Sequence, residues 1–359
     1  MLTVEYLVSK LAFIANVSDN LTTYYDEVDM NAAFSRLVMG IAVCTAALLA
    51  PVGASAQQKA VFGASDAIGS LYDRQNRMFV DLVNKRAAGK LQLTYIPGEQ
   101  LGSDVQVIEQ IMGGAVQFYG DDLSWYANWV KDFGILGWGF TFDGSPHMER
   151  FLESPIYGQM ADELRVKNGI RILAAAPIQS RILFSIKPIK SANDLIGLKM
   201  RVPEIKTYLA LWETLGTKPT RVAWGEVFLG LKTGLVEGAE GPVSAAYAAK
   251  FHEAAKNVVL TEHILTVAHL LVGEKFYQSL PADVRKVVDA AAVESVKWAQ
   301  QQAAAETSEL IAKMVKEGAT ATKIDTGPIR DKALAAVNSM ESQGLWRKGL
   351  WADVQKLSK

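Results

Sequence analysis

The chain has 359 residues, half of them apolar, with 37 basic against 38 acidic side chains, so it is close to neutral. A nucleic-acid binder of the usual kind needs a basic excess to neutralise phosphates, and no nucleic-acid partner is expected. The one cysteine, Cys44, excludes an intrachain disulfide.

Residues 1–29 carry five acids and one base and make a poor start for an export signal, so they read as an upstream extension ahead of the true start at Met30. Residues 30–56 have the order of a secretory signal: Arg36, an apolar run from Leu37 to Ala50, Pro51, and Ala54-Ser55-Ala56. The run falls short of the roughly 20 residues that span a bilayer. Cleavage between Ala56 and Gln57 is expected, which places the mature chain in a periplasm and removes Cys44. With residues 1–56 set aside, 35 basic and 33 acidic residues remain. The 303 residues from 57 to 359 exceed what one core usually serves, so two lobes are expected.

From Lys59 onward, short apolar runs alternate with helical segments, the pattern of an α/β fold. Strands are predicted over 59–64 and 91–96, with a helix over 69–86 between them. Ser103 with Gln106 has the form of a capping box that opens the next helix, closed at Gly113-Gly114. A strand over 116–119 follows, and Ser145-Pro146 starts a helix running to about Lys167. Further strands are predicted over 170–175, 182–186, 199–202, 217–222 and 236–240, with helices over 205–215, closed by Gly216, and 225–233. From Pro281 to about Lys316 the chain has almost no breaker and predicts one helix about 50 Å long, enough to run across both lobes. Two shorter helices, near 328–342 and 351–357, finish the chain. Residues 57–180 are assigned mainly to the first lobe, 181–280 mainly to the second, 281–317 to the spanning helix and 318–359 to the terminal helices.

Catalytic and metal signatures are sparse. His147, His252, His263 and His269 include no pair at helical ligand spacing, so no metal is expected. There is no Gly-x-Ser-x-Gly elbow and no phosphate-binding glycine loop, and no cofactor is expected. Asp121-Asp122 at a strand end and Glu240 in the other lobe keep a periplasmic hydrolase open as an alternative. A different chemistry is suggested by Gly197-Leu198-Lys199-Met200-Arg201-Val202-Pro203-Glu204, where Arg201 closes a strand before a proline. A guanidinium fork there suits a carboxylate in a cleft, and an ion pair with Glu204 suits it too. Trp224, at a strand-to-helix junction, can pack in the core or stack on a ligand.

Several blocks in order resemble the solute receptors of tripartite ATP-independent periplasmic (TRAP) transporters, of the dicarboxylate-receptor type. They include Gly98-Glu99-Gln100-Leu101-Gly102-Ser103-Asp104, the Arg201 block, Leu231-Lys232-Thr233-Gly234-Leu235-Val236-Glu237-Gly238 and Ala249-Lys250-Phe251-His252-Glu253. The resemblance implies a two-lobed periplasmic binding protein, monomeric and without catalysis. Such a receptor closes on an organic acid and delivers it to a small and a large membrane permease subunit. A receptor feeding a membrane sensor is the alternative within this class.

In residue terms, the resemblance implies that Arg201 binds the ligand carboxylate, with Arg181 assisting and Trp224 as the cleft aromatic. Ser65, Gln100 and Asp121 fall on first-lobe loops that approach the cleft in the family. Two departures are evident. Gly241 stands where an asparagine is frequent, and Leu136-Gly137-Trp138-Gly139-Phe140 replaces a proline-containing block. With space gained at Gly241 and a larger aromatic at Trp138, the expected ligand is a monocarboxylate with a planar or bulky apolar body.

Overall fold

The computed structural model describes residues 57–359. The expected upstream extension, signal segment and cleavage after Ala56 fall outside the described residues. The described chain forms one compact unit built on ten strands: β1 (Gln58–Gly63), β2 (Leu91–Ile96), β3 (Phe118–Tyr119), β4 (Ile170–Ser185), β5 (Lys199–Val202), β6 (Lys218–Arg221), β7 (Gly238–Pro242), β8 (Asn257–Val259), β9 (Leu265–Gly273) and β10 (Thr320–Thr322). Their order is β2-β1-β3-β9-β4-β7-β5-β6, with β8 on β4 and β10 on β8.

Two sheets meet at β4. Its N-terminal part runs antiparallel to β9 and completes the first sheet, while Arg181 to Ser185 pair antiparallel with Pro242 to Gly238 of β7 and begin the second. The two short strands predicted over 170–175 and 182–186 are therefore one strand of 16 residues. Register shifts between Ile172 and Ala174 and between Pro177 and Ser180 interrupt its ladder, and such irregularities bend a strand and re-aim its side chains.

The terminators in the sequence act as anticipated. Pro203 follows β5 directly, and its missing N–H ends the ladder. The helix Lys206–Thr214 closes at Gly216, whose φ of 93° is left-handed. The backbone N–H of Ser103 donates to Gln106 Oε1 at 2.9 Å, one arm of the expected capping box. One predicted helix is in fact two, Ser145–Glu153 and Pro155–Asn168. Pro155 cannot donate into the first, and the Ser154 hydroxyl caps the second through Tyr157 N.

The long helix spans Ala282–Lys316, with Pro281 at its N-cap. Val284, Val288, Ala291, Ala292 and Val296 pack into the core beside β1 and β2. One and a half turns from its end, Leu310 and then Met314 pack into the core around β7. A single helix thus braces both sheets. Between these two contacts, Arg74 holds Glu306 through a 2.7 Å fork and Gln179 donates to Thr307 Oγ1 at 3.1 Å.

Candidate functional site

The site is a small cavity, about 30 Å³, between the ends of the two sheets. Asp66, Tyr72, Asp104, Asp121, Asp122, Ser124 and Trp125 line it from the first-sheet side, and Arg201, Pro203, Ile205, Tyr208, Trp224, Pro242 and Ala245 from the second. Arg181 of β4, the strand common to both sheets, completes the lining.

Arg201 is wholly buried. Its Nε donates to Val222 O at 2.9 Å, and its guanidinium carbon lies 5.4 Å from the Trp224 ring centroid. Nη1 and Nη2 have no partner. The expected alternative, an ion pair with Glu204, is not formed among the described residues. Burial pulls this guanidinium down to about 10, against the favourable field of Glu240, so it remains a cation at neutral pH. A buried cation with two free donor groups facing a cavity is costly until an anion arrives. That is the state expected of a binding group.

Arg181 is engaged differently. Its Nε and Nη2 grip both oxygens of Glu240, the Nη2 contact at 2.8 Å, while Nη1 donates to Asp122 Oδ2 at 3.1 Å. Tyr208 lies below it, 5.1 Å from ring centroid to guanidinium. Glu240 is completed by His263 Nε2 at 3.3 Å, whose Nδ1 lies 2.8 Å from the Thr261 hydroxyl. Burial opposes ionisation of Glu240, but Arg181 and His263 outweigh it and hold the carboxyl at about 2. Arg181 thus reaches the cavity with its fork already occupied, whereas the fork of Arg201 is free.

The remaining expected residues divide. Trp224 lines the cavity as anticipated, and Asp121 lines it from the end of β3. Ser65 is buried with no hydrogen-bond partner, but its neighbour Asp66 is the residue that lines the cavity. Gln100 is exposed and lines nothing there; Glu99 beside it reaches across, accepting the backbone N–H of Gly225 at 3.0 Å. Trp138 is wholly buried elsewhere, packed on Trp346 at 5.6 Å with its Nε1 donating to Ala333 O at 3.2 Å. It is a core residue because helix Gly327–Ala335 and the following segment cover it. Asp66, Tyr72 and Asp104 are cavity residues that sequence reasoning passed over.

Gly241 corrects a second expectation. A Cβ there would lie 2.9 Å from Cη2 and 3.2 Å from Cζ3 of Trp224. The space left by the missing side chain is filled by the indole, so it is not available to a larger ligand. With Trp138 outside the cavity as well, the two departures give no room for a bulky apolar body. Gly241→Ala should cost about 1–3 kcal/mol by crowding the indole, and adding Trp224→Phe should recover most of it. Urea unfolding of the two single variants and the double variant measures this coupling.

The two sides of the cavity are tied at several points. Besides Glu99 to Gly225, Leu71 N donates to Ser244 Oγ at 2.9 Å, Asn128 Nδ2 donates to Glu204 O at 2.9 Å, and Ser124 Oγ lies 3.3 Å from Tyr208 OH. Glu99→Ala removes one tie without touching the cavity lining. Its expected effect is about fivefold weaker ligand binding with a more open form in small-angle scattering.

Residues 63–343 match the family model described as bacterial extracellular solute-binding protein, family 7. The chain is 28% identical over 292 residues to the sialic acid-binding periplasmic protein SiaP of Vibrio cholerae, covering 81% of this chain and 90% of that one. It is also 28% identical over 243 residues to the C4-dicarboxylate-binding periplasmic protein DctP of Rhodobacter capsulatus, covering 67% and 73%. Among solved structures, a TRAP periplasmic solute binding protein from Ochrobacterium anthropi with bound L-fuconate superposes with a TM-score of 0.79 at 28% identity, covering 85% of this chain and all of that one. Another from Xanthobacter autotrophicus, with bound β-D-galacturonate, gives 0.76 at 25% identity, covering 83% and 99%. The match to the family model over most of the chain, with a buried unpaired arginine in the cleft of a two-lobed α/β fold, establishes that the protein belongs to the family 7 bacterial extracellular solute-binding proteins, the receptors of TRAP transporters.

Proposed function

We propose that this protein captures an organic acid by pairing its carboxylate with Nη1 and Nη2 of Arg201 and hands the closed complex to a membrane permease. The observation that carries this reading is a wholly buried guanidinium with two partnerless nitrogens on a cavity wall. Its anchoring at Nε by Val222 O and its packing against Trp224 fix the fork before the ligand arrives, and a pre-set fork loses less entropy on binding. Relatives named for sialic acid and C4-dicarboxylates, and similar structures holding sugar acids, support an acid as the solute.

Arg181 serves this reading as a framework. Locked to Glu240 and Asp122, it supports Tyr208 at the cavity wall. The same lock speaks against a hydrolase. Glu240 is committed to Arg181 and His263, so it is not poised as a general acid or base. Export by the 30–56 signal, action as a monomer and delivery to the two TRAP membrane subunits complete the proposed role. Among the described residues no helix is long and apolar enough to cross a membrane.

A thermal-shift panel of organic acids, each beside its uncharged amide, tests the reading. Stabilisation by an acid and none by its amide is the expected result, since ligand stabilises the folded form by mass action. Equal stabilisation by both would remove the carboxylate from the account.

A further inference from the structure

The cavity has two chemically opposite walls. The second-sheet wall offers Arg201, whereas the first-sheet wall offers Asp66, Asp104, Asp121 and Asp122, all buried. Only Asp122 touches a cation, the Nη1 of Arg181. Asp104 and Asp121 meet at Tyr119, whose hydroxyl lies 2.5 Å from Asp104 Oδ1 and 3.0 Å from Asp121 Oδ2. One hydroxyl hydrogen cannot serve both carboxylates fully, and burial with the fields of Asp66 and Asp104 pushes the Asp121 carboxyl well above the usual carboxylate range. Asp66 receives nothing comparable. Its Oδ2 is buried without a donor, and the Tyr72 hydroxyl on the same wall has no partner either.

From these contacts we infer that the solute is zwitterionic, carrying a protonated amine that docks on Asp66 while its carboxylate docks on Arg201. This deepens the organic-acid reading and rests on it. Charge favours an amine over a hydroxyl. Arg181 is shared by Glu240 and Asp122, and Arg201 would pair with the ligand carboxylate, so neither cation is left for Asp66, whose carboxyl is pushed well above the usual carboxylate range by burial and by the field of Asp104. A hydroxyl can donate to that oxygen but leaves burial free to keep the carboxyl protonated, whereas an ammonium brings three donors and the counter-charge that lets Asp66 ionise.

The test uses pairs of carboxylates that differ only in amine against hydroxyl: 5-aminopentanoate with 5-hydroxypentanoate, 4-(aminomethyl)benzoate with 4-(hydroxymethyl)benzoate, and D-glucosaminate with D-gluconate. Calorimetric titration of the wild-type protein should show the amino member of the best pair binding at least about tenfold tighter than its partner. Asp66→Asn should shrink that gap to under about threefold, with apo melting confirming the fold. Equal or tighter binding by the hydroxy members, lost in Arg201→Met, overturns the amine and leaves the carboxylate contact standing. A gap that survives Asp66→Asn overturns the assignment to that residue. Binding that ignores Arg201→Met, or none across the panel, overturns the organic-acid reading together with this one.

Discussion

Arg201→Lys should weaken binding of the panel's best acid by roughly 10- to 150-fold although the charge is kept. A lysine point charge replaces a planar fork, giving up one of two charge-assisted hydrogen bonds, the Nε anchor to Val222 O and the stacking on Trp224. A hydrogen bond to a charged group is worth about 1.5–3 kcal/mol, which sets that range. Arg201→Met goes further and separates binding from structure. It should abolish acid binding yet leave apo stability unchanged or higher, because it removes a buried cation with two unsatisfied nitrogens and replaces it with an apolar chain. A residue that merely held the fold together would show the reverse, a large loss of apo stability. Calorimetry for binding and urea unfolding for stability read the two outcomes separately.

Glu240→Gln is expected to have the largest effect on stability, about 3 kcal/mol of loss at neutral pH. Glu240 is wholly buried and supplies both oxygens to Arg181, so removing its charge leaves that guanidinium with Asp122 as its only ionic partner. Breaking a buried ion pair from one side costs about 3–5 kcal/mol, and the low end applies because glutamine keeps one acceptor oxygen. The pH dependence has a definite sign. The folded carboxyl is held at about 2, below its ordinary 4.5. Its contribution is therefore fully present above 4.5 and fades as pH falls from there toward 2. The gap between wild type and variant in urea midpoints should stay constant from neutral pH down to 4.5 and close below it. A gap that persists undiminished at the lower limit would show that the loss comes from packing and not from charge.

These two residues show what the sequence could and could not disclose. The placement of Arg201 near the end of β5 was legible because a proline bounds its block, a feature with a local cause. The 35-residue helix was legible for the same reason: Pro281 starts it and no breaker interrupts it. Glu240 was visible as an acid near a strand end, but its partner Arg181 is 59 residues away and only the antiparallel pairing of β4 with β7 brings them together. β9 escaped altogether. From Thr266 to Gly273 it is buried throughout, and a strand covered on both faces shows no alternation to read.

Aromatic residues were the least legible part of the site. Trp138 and Trp224 are each followed by a glycine in the sequence, yet one packs on Trp346 in the core and the other lines the cavity. Gly241 reads as vacated space in one dimension and is filled by Trp224 in three. Ser65 was favoured over Asp66 by one position, a difference set by how the loop after β1 turns into the helix Leu71–Arg86.

A crystal structure of the protein with the tightest-binding acid of the panel is the most direct measurement. The carboxylate oxygens should lie within hydrogen-bonding distance of Nη1 and Nη2 of Arg201, with Arg181 still holding Glu240. A carboxylate seated on other groups, with both of those nitrogens still unpartnered, would contradict that pairing.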